Sequence, residues 1–170
     1  MSKNKPVVVI GLMGSGKTTA GVLIAEALGL DFSDSDPFLK AKYGGSAAQI
    51  AAREGADTLH RYEAEHVLHE LAGEPRVIAA AASTIEDPLV RAALRAAFVV
   101  WVDASDEVLA ERMKSSDHRP DFDPAAMRAR REPYFREVAD LVCDVGVMRP
   151  EQVRDTVLRE LGRPAPRDPA

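Results

Sequence analysis

Residues Val7-Val8-Val9-Ile10-Gly11-Leu12-Met13-Gly14-Ser15-Gly16-Lys17-Thr18 run from an unbroken apolar segment into the pattern G-x-x-x-x-G-K-S/T, and a helical pattern follows from Thr19. A strand, a glycine loop and a helix in this order make a phosphate-binding loop. The loop must aim several backbone N–H groups at phosphate oxygens, and glycines allow a path that side chains would fill. The helix presents its positive N-terminal end to the anion, Lys17 reaches the outer phosphates, and the Thr18 hydroxyl is suited to Mg²⁺. ATP with Mg²⁺ is the expected ligand, contacted by Gly14, Ser15, Gly16, Lys17, Thr18 and Thr19. A glycine-rich turn between core elements is the plainer alternative, and the strand before the loop and helix after it weigh against that.

The rest of the chain extends this unit. Short Val/Ile-rich runs recur at Val7–Ile10, Arg76–Ala80, Phe98–Val102 and Leu141–Val145, with a weaker one at Leu30–Ser33. Helical patterns lie between and after them at Lys17–Leu28, Ser46–Ala52, Ala56–Leu71, Pro88–Ala96, Ser105–Met113, Pro124–Ala139 and Pro150–Leu161. Alternating strands and helices predict an α/β protein whose strands pair in parallel through crossovers. Ser46 with Gln49 has capping-box spacing, and Pro88, Pro124 and Pro150 suit first helical turns. Residues 1–161 read as one domain, and 162–170, with three prolines and no large apolar side chain, read as a disordered tail.

Composition excludes several classes. The 170 residues suffice for one domain with a sizeable core, and a formal charge of −5 disfavours nucleic acid or an anionic membrane as partner. Cys143 is the single cysteine, set in a strand-like run, so no intramolecular disulfide forms and a core role is expected. No apolar stretch approaches bilayer length, which leads to the expectation of a cytoplasmic protein, and a monomer is expected.

Two further constellations carry chemistry. Asp34-Ser35-Asp36 follows the second strand candidate, at the edge where open parallel sheets place their ligand crevice. One carboxylate could hold Mg²⁺ and the other accept a substrate hydroxyl proton. Alone, such a pair reads as a solvated turn or helix cap. The basic stretch from Arg112 to Arg119-Pro120, with Arg128, Arg130 and Arg131 beyond it, brackets a polar loop around 114–123 that could cover bound ATP. Arg119 would then neutralise charge on the transferring phosphoryl group. A solvated loop with helix-face arginines is the alternative.

Together these residues resemble the shikimate kinase family, from about Val7 to Leu161. Gly11–Thr18 matches its phosphate loop, Asp34 and Asp36 its D-x-D, and Arg119-Pro120 its R-P lid signature. Arg131-Glu132-Pro133-Tyr134-Phe135-Arg136-Glu137-Val138-Ala139-Asp140 is similar to its R-x-P-x-Y-x-x-x-A-D segment. The resemblance implies a P-loop NTPase fold of the nucleoside monophosphate kinase type, with a five-stranded parallel sheet in the order 2-3-1-4-5 flanked by helices. It further implies Asp34 on the Mg²⁺ side, Asp36 at the acceptor hydroxyl, Arg131 on a substrate carboxylate, and Arg112 and Pro150 flanking adenine. The implied partners are ATP and a small hydroxylated, anionic metabolite.

Two departures fall on the acceptor side. The family's F-R-x-x-E stands here as Leu59-His60-Arg61-Tyr62-Glu63, placing His60 at the substrate-binding arginine position. Arg61 is adjacent, but one helical step turns a side chain away by roughly 100°. The family's G-G-G is Ala81-Ala82-Ser83 here, whose Cβ atoms fill space beside the backbone. Losing a bidentate arginine contact should weaken shikimate binding by about 1.5–3 kcal/mol, ten- to over a hundredfold. The expected reaction is therefore ATP-dependent phosphorylation of a hydroxyl, with His60, Ala81, Ala82, Ser83, Thr84 and Arg131 around a shikimate-like acceptor. The alternatives are a different sugar acid or polyol such as gluconate, or a non-catalytic ATP-binding protein.

Overall fold

The computed structural model describes residues 5–114 and 123–163. The expected lid residue Arg119, with the rest of 115–122 and the tail residues 164–170, lies outside the described residues. The chain runs β1 (Val7–Ile10), α1 (Lys17–Leu28), β2 (Phe32–Asp34), α2 (Ser35–Tyr43), α3 (Ala47–Glu54), α4 (Ala56–Ala72) and β3 (Val77–Ala79). A 3₁₀ turn at Ala82–Glu86 leads into α5 (Pro88–Ala93), followed by β4 (Phe98–Asp103), α6 (Asp106–Lys114), α7 (Pro124–Val138), β5 (Leu141–Asp144) and α8 (Pro150–Glu160).

All five strands are parallel, in the order β2-β3-β1-β4-β5. The two-residue period of a strand sorts side chains onto two faces. Val8, Ile10, Ile78, Val99 and Trp101 pack with residues of α4 to α7, including Val67, Val90, Leu109 and Phe135. Val7, Val9, Val77, Val100, Val102 and Cys143 pack instead with Ala20 and Ile24 of α1 and Val153 and Val157 of α8. Strands covered on both faces read as continuous apolar runs, which is why these segments stand out in the sequence. Cys143 is 1 % exposed, and burial raises its thiol to about 11, so it belongs to the core.

Helix α1 lies close on the sheet because Gly21 carries no side chain. A Cβ there would sit 2.5 Å from the Phe32 ring. At the far end of the sheet, the Asp140 carboxylate accepts from Val99 N–H at 2.8 Å and holds the entry to β5 against β4.

Two local readings need revision. The second strand is Phe32–Asp34 rather than Leu30–Ser33, and helix α2, absent from the expected helices, begins directly behind it with Asp34 at its N-cap position, in keeping with the turn-or-cap reading of that pair. Pro37 obscured α2, yet it lies in the first turn, where a missing N–H costs nothing. The cap of α5 is Asp87, which accepts from Leu89 N–H at 2.8 Å, while Ser83 and Thr84 belong to the preceding 3₁₀ turn. Among the described residues, no helix is long and apolar enough to cross a membrane.

Candidate functional site

The phosphate loop leaves β1 at the carboxyl edge of the sheet, beside β4. A Cβ on Gly11 would sit 2.4 Å from Val102 O, so the chain passes only as glycine. Gly14 and Gly16 take φ of 85° and 88°, the left-handed region that turns successive backbone N–H groups into an anion-binding nest. Lys17 opens α1, and its Nζ donates to Gly11 O at 3.0 Å and Leu12 O at 3.1 Å. Burial pushes the Lys17 ammonium down to about 8, with Asp34 and Glu63 favouring its charge and Arg131 opposing it. Ser15 Oγ is buried and finds no hydrogen-bond partner among the described residues. An orphaned hydroxyl in such a nest is one that a phosphate oxygen would satisfy, so the loop fits the group.

The two aspartates divide at the start of α2. Asp34 is still extended and accepts from Thr18 Oγ1 at 2.7 Å, while Asp36 lies in the first turn of the helix and lines a cavity of about 330 Å³. Lys17, Glu63, Ala81 and Ala82 line the same cavity. Glu63 was not singled out as a site residue in the sequence, although it is the last letter of the F-R-x-x-E match. It is 8 % exposed on α4 and accepts from Ser83 Oγ at 2.9 Å. Satellite packing of Leu39, Ile50 and Leu59 ties α2, α3 and α4 together and positions Asp36 relative to Glu63.

The other acceptor-side residues lie further out. His60, one turn before Glu63, is half-buried and does not line the cavity, and Ser83 stands behind Glu63. Arg61 is exposed and donates to Thr58 Oγ1 at 3.5 Å, consistent with its rotation away from the His60 face. Thr84 closes its own turn by donating to Ala81 O at 2.7 Å. Arg131 is 8 % exposed, and its Nε donates to Glu86 Oε2 at 2.9 Å. Arg130 takes the other Glu86 oxygen, and Arg128 pairs with Asp103 and Asp106 at 2.9 and 2.7 Å. The arginines behind the polar loop thus pair with carboxylates of the protein.

On the other side of the loop, a cavity of about 280 Å³ is lined by Gly16, Thr19, Arg112 and Pro150, among others. Arg112 donates to Gly14 O at 3.0 Å. The two cavities meet at Gly14, one on the Lys17–Asp36 side and one on the Thr19–Pro150 side. A larger depression of about 520 Å³, lined by Lys5, Arg95 and Glu137, opens beside the amino ends of the strands. Parallel sheets bind ligands at their carboxyl ends, so the smaller pair of cavities is the candidate site.

A phosphate loop between two cavities, on a parallel sheet of this order, defines a P-loop phosphotransferase. The family model for shikimate kinase matches residues 13–162. The shikimate kinase of Symbiobacterium thermophilum is 39 % identical over 143 residues, covering 78 % of this chain and 82 % of that protein. The shikimate kinase of Mycobacterium tuberculosis is 33 % identical over 170 residues, covering 96 % and 97 %. Among solved structures, shikimate kinase from Acinetobacter baumannii in complex with shikimate superposes with a TM-score of 0.85 at 25 % identity, covering 92 % of each chain. This chain belongs to the shikimate kinase family and is an ATP-dependent kinase of that type, with a hydroxyl as acceptor.

Proposed function

We propose that this kinase transfers the γ-phosphoryl group of ATP to a hydroxyl of a small polyhydroxylated acceptor held between the phosphate loop and α4. The observation that carries the reading is the sharing of one cavity by Lys17 and Asp36, with the Thr18–Asp34 pair beside it. Gly14 to Thr19 bind the phosphates, and Arg112 and Pro150 flank the adenine side. Thr18 and Asp34 are the residues that would hold Mg²⁺, which supplies charge neutralisation to the phosphates when bound. Mg²⁺ takes few protein ligands and keeps water and phosphate oxygens, so a hydroxyl and one carboxylate suit it.

Asp36 orients the acceptor hydroxyl and takes its proton as the new oxygen–phosphorus bond forms and the bond to the ADP oxygen breaks. Lys17 offsets negative charge on the transferring group, and Arg119 would add to it from the loop. Ala81 and Ala82 border the acceptor side, with His60, Ser83 and Arg131 further out. Shikimate is the reference acceptor, since relatives across most of the chain are shikimate kinases. Asp36→Asn should lower acceptor-dependent ADP release by about 10²–10⁴-fold while ATP still binds. Undiminished turnover in that variant would remove Asp36 from the reaction.

A further inference from the structure

The acceptor cavity has an unusual charge balance for a site expected to seat a carboxylate. Two carboxylates, Asp36 and Glu63, line it, and among the described residues Lys17 is the only arginine or lysine that does so. Lys17 is directed to the loop, where its Nζ bonds Gly11 O and Leu12 O. Arg131, on which the expectation of an anionic acceptor rested, is held by Glu86 at 2.9 Å and does not line the cavity. Arg130 holds the second oxygen of the same carboxylate, so Glu86 is clamped by two guanidinium groups. Both arginines belong to α7, and Glu86 ends the 3₁₀ turn that begins at Ala82.

The remaining groups point the same way. At the position of the family's substrate arginine stands His60, outside the cavity lining, and Ser83 Oγ fixes the Glu63 carboxylate. Carboxylates accept hydrogen bonds from hydroxyls and repel another carboxylate. Glu86 engages Arg131 at Nε and offsets its charge, which weakens what that guanidinium offers a second carboxylate.

Building on the phosphotransfer reading, we propose that the acceptor is an uncharged polyol, and that Glu86 sets this preference by keeping Arg131 out of the cavity. Glu86 acts as a positioning residue, through Arg131. Released from Glu86, Arg131 would become available to a carboxylated acceptor at the same site.

The test uses the full chain, with ATP and Mg²⁺, and reads acceptor-dependent ADP release for two sets of compounds. One set holds uncharged cyclitols and sugars, and the other holds shikimate, quinate and gluconate. The expected result is a kcat/KM for the best uncharged acceptor at least about tenfold above that for any carboxylated one. Glu86→Gln, checked with Glu86→Ala, should raise kcat/KM for the carboxylated set about tenfold through a lower KM, without a matching gain for the uncharged set. A variant that merely loosened the fold would lower both sets together, and that outcome overturns the role of Glu86. Wild-type preference for a carboxylated acceptor overturns the acceptor class and leaves the kinase reading standing. ATP binding with no acceptor-dependent turnover in either set overturns the phosphotransfer reading itself.

Discussion

Lys17 stands where burial works against the charge that phosphate needs. Its ammonium is lowered to about 8, so the unliganded protein carries the full charge only below that pH. A bound polyphosphate favours the charged form, so binding above pH 8 must take up a proton. The Kd for ATP should therefore rise by up to about tenfold per pH unit between pH 8 and 10, and calorimetry in buffers of different ionisation heat should register the proton. An affinity flat across that range would contradict the assignment. Lys17 and Thr18 were legible from sequence because the loop motif is local and each of its positions has its own task. The partnership of Arg131 with Glu86 was not legible, since 45 positions separate the two residues and no spacing rule joins them.

Helix α2 shows how an element can turn a short motif into a site. Read linearly, Asp34-Ser35-Asp36 is two carboxylates on one stretch. Folded, Asp34 remains extended and reaches Thr18, whereas Asp36 is already helical and lines the cavity it shares with Lys17. What holds α2 in place is Leu39, fully buried against Ile50 and Leu59. Leu39→Ala should cost about 2–5 kcal/mol in urea unfolding and raise the KM of the acceptor more than that of ATP. An acceptor KM unchanged despite that loss would show that the cluster does not position Asp36. The helix itself escaped notice because Ser-Asp-Pro is read as a turn signal. Such residues also open helices, and only the packing of Leu39 decides between the two.

Across the whole molecule, acid stability should follow two groups that take no part in the chemical step, His66 and Glu86. His66 is fully buried on α4, with Nε2 at 2.8 Å from Ser33 Oγ and Nδ1 without a partner among the described residues. Burial holds it below its ordinary 6.5. Between the two values the unfolded chain binds a proton that the folded chain refuses, so stability is retained above pH 6.5 and lost as pH falls through that window. Burial opposes the charge of Glu86, but the Arg131 and Arg130 bonds prevail and hold it below its ordinary 4.5, so its contribution is lost at lower pH still. The Tm should fall between pH 7 and 5, and His66→Gln, which removes the titration, should flatten that limb. An unchanged slope would assign the acid sensitivity to other groups. The chain's order alone determined the parallel α/β class, the phosphate loop, the helix starts other than that of α2, and the family, because these rest on local spacing and hydrophobic period. Folding decided which groups share a cavity, for the crossovers bring Asp36, Glu63 and Ala82 together and pair Arg131 with Glu86. Those meetings depend on packing between elements, which no sequence period records.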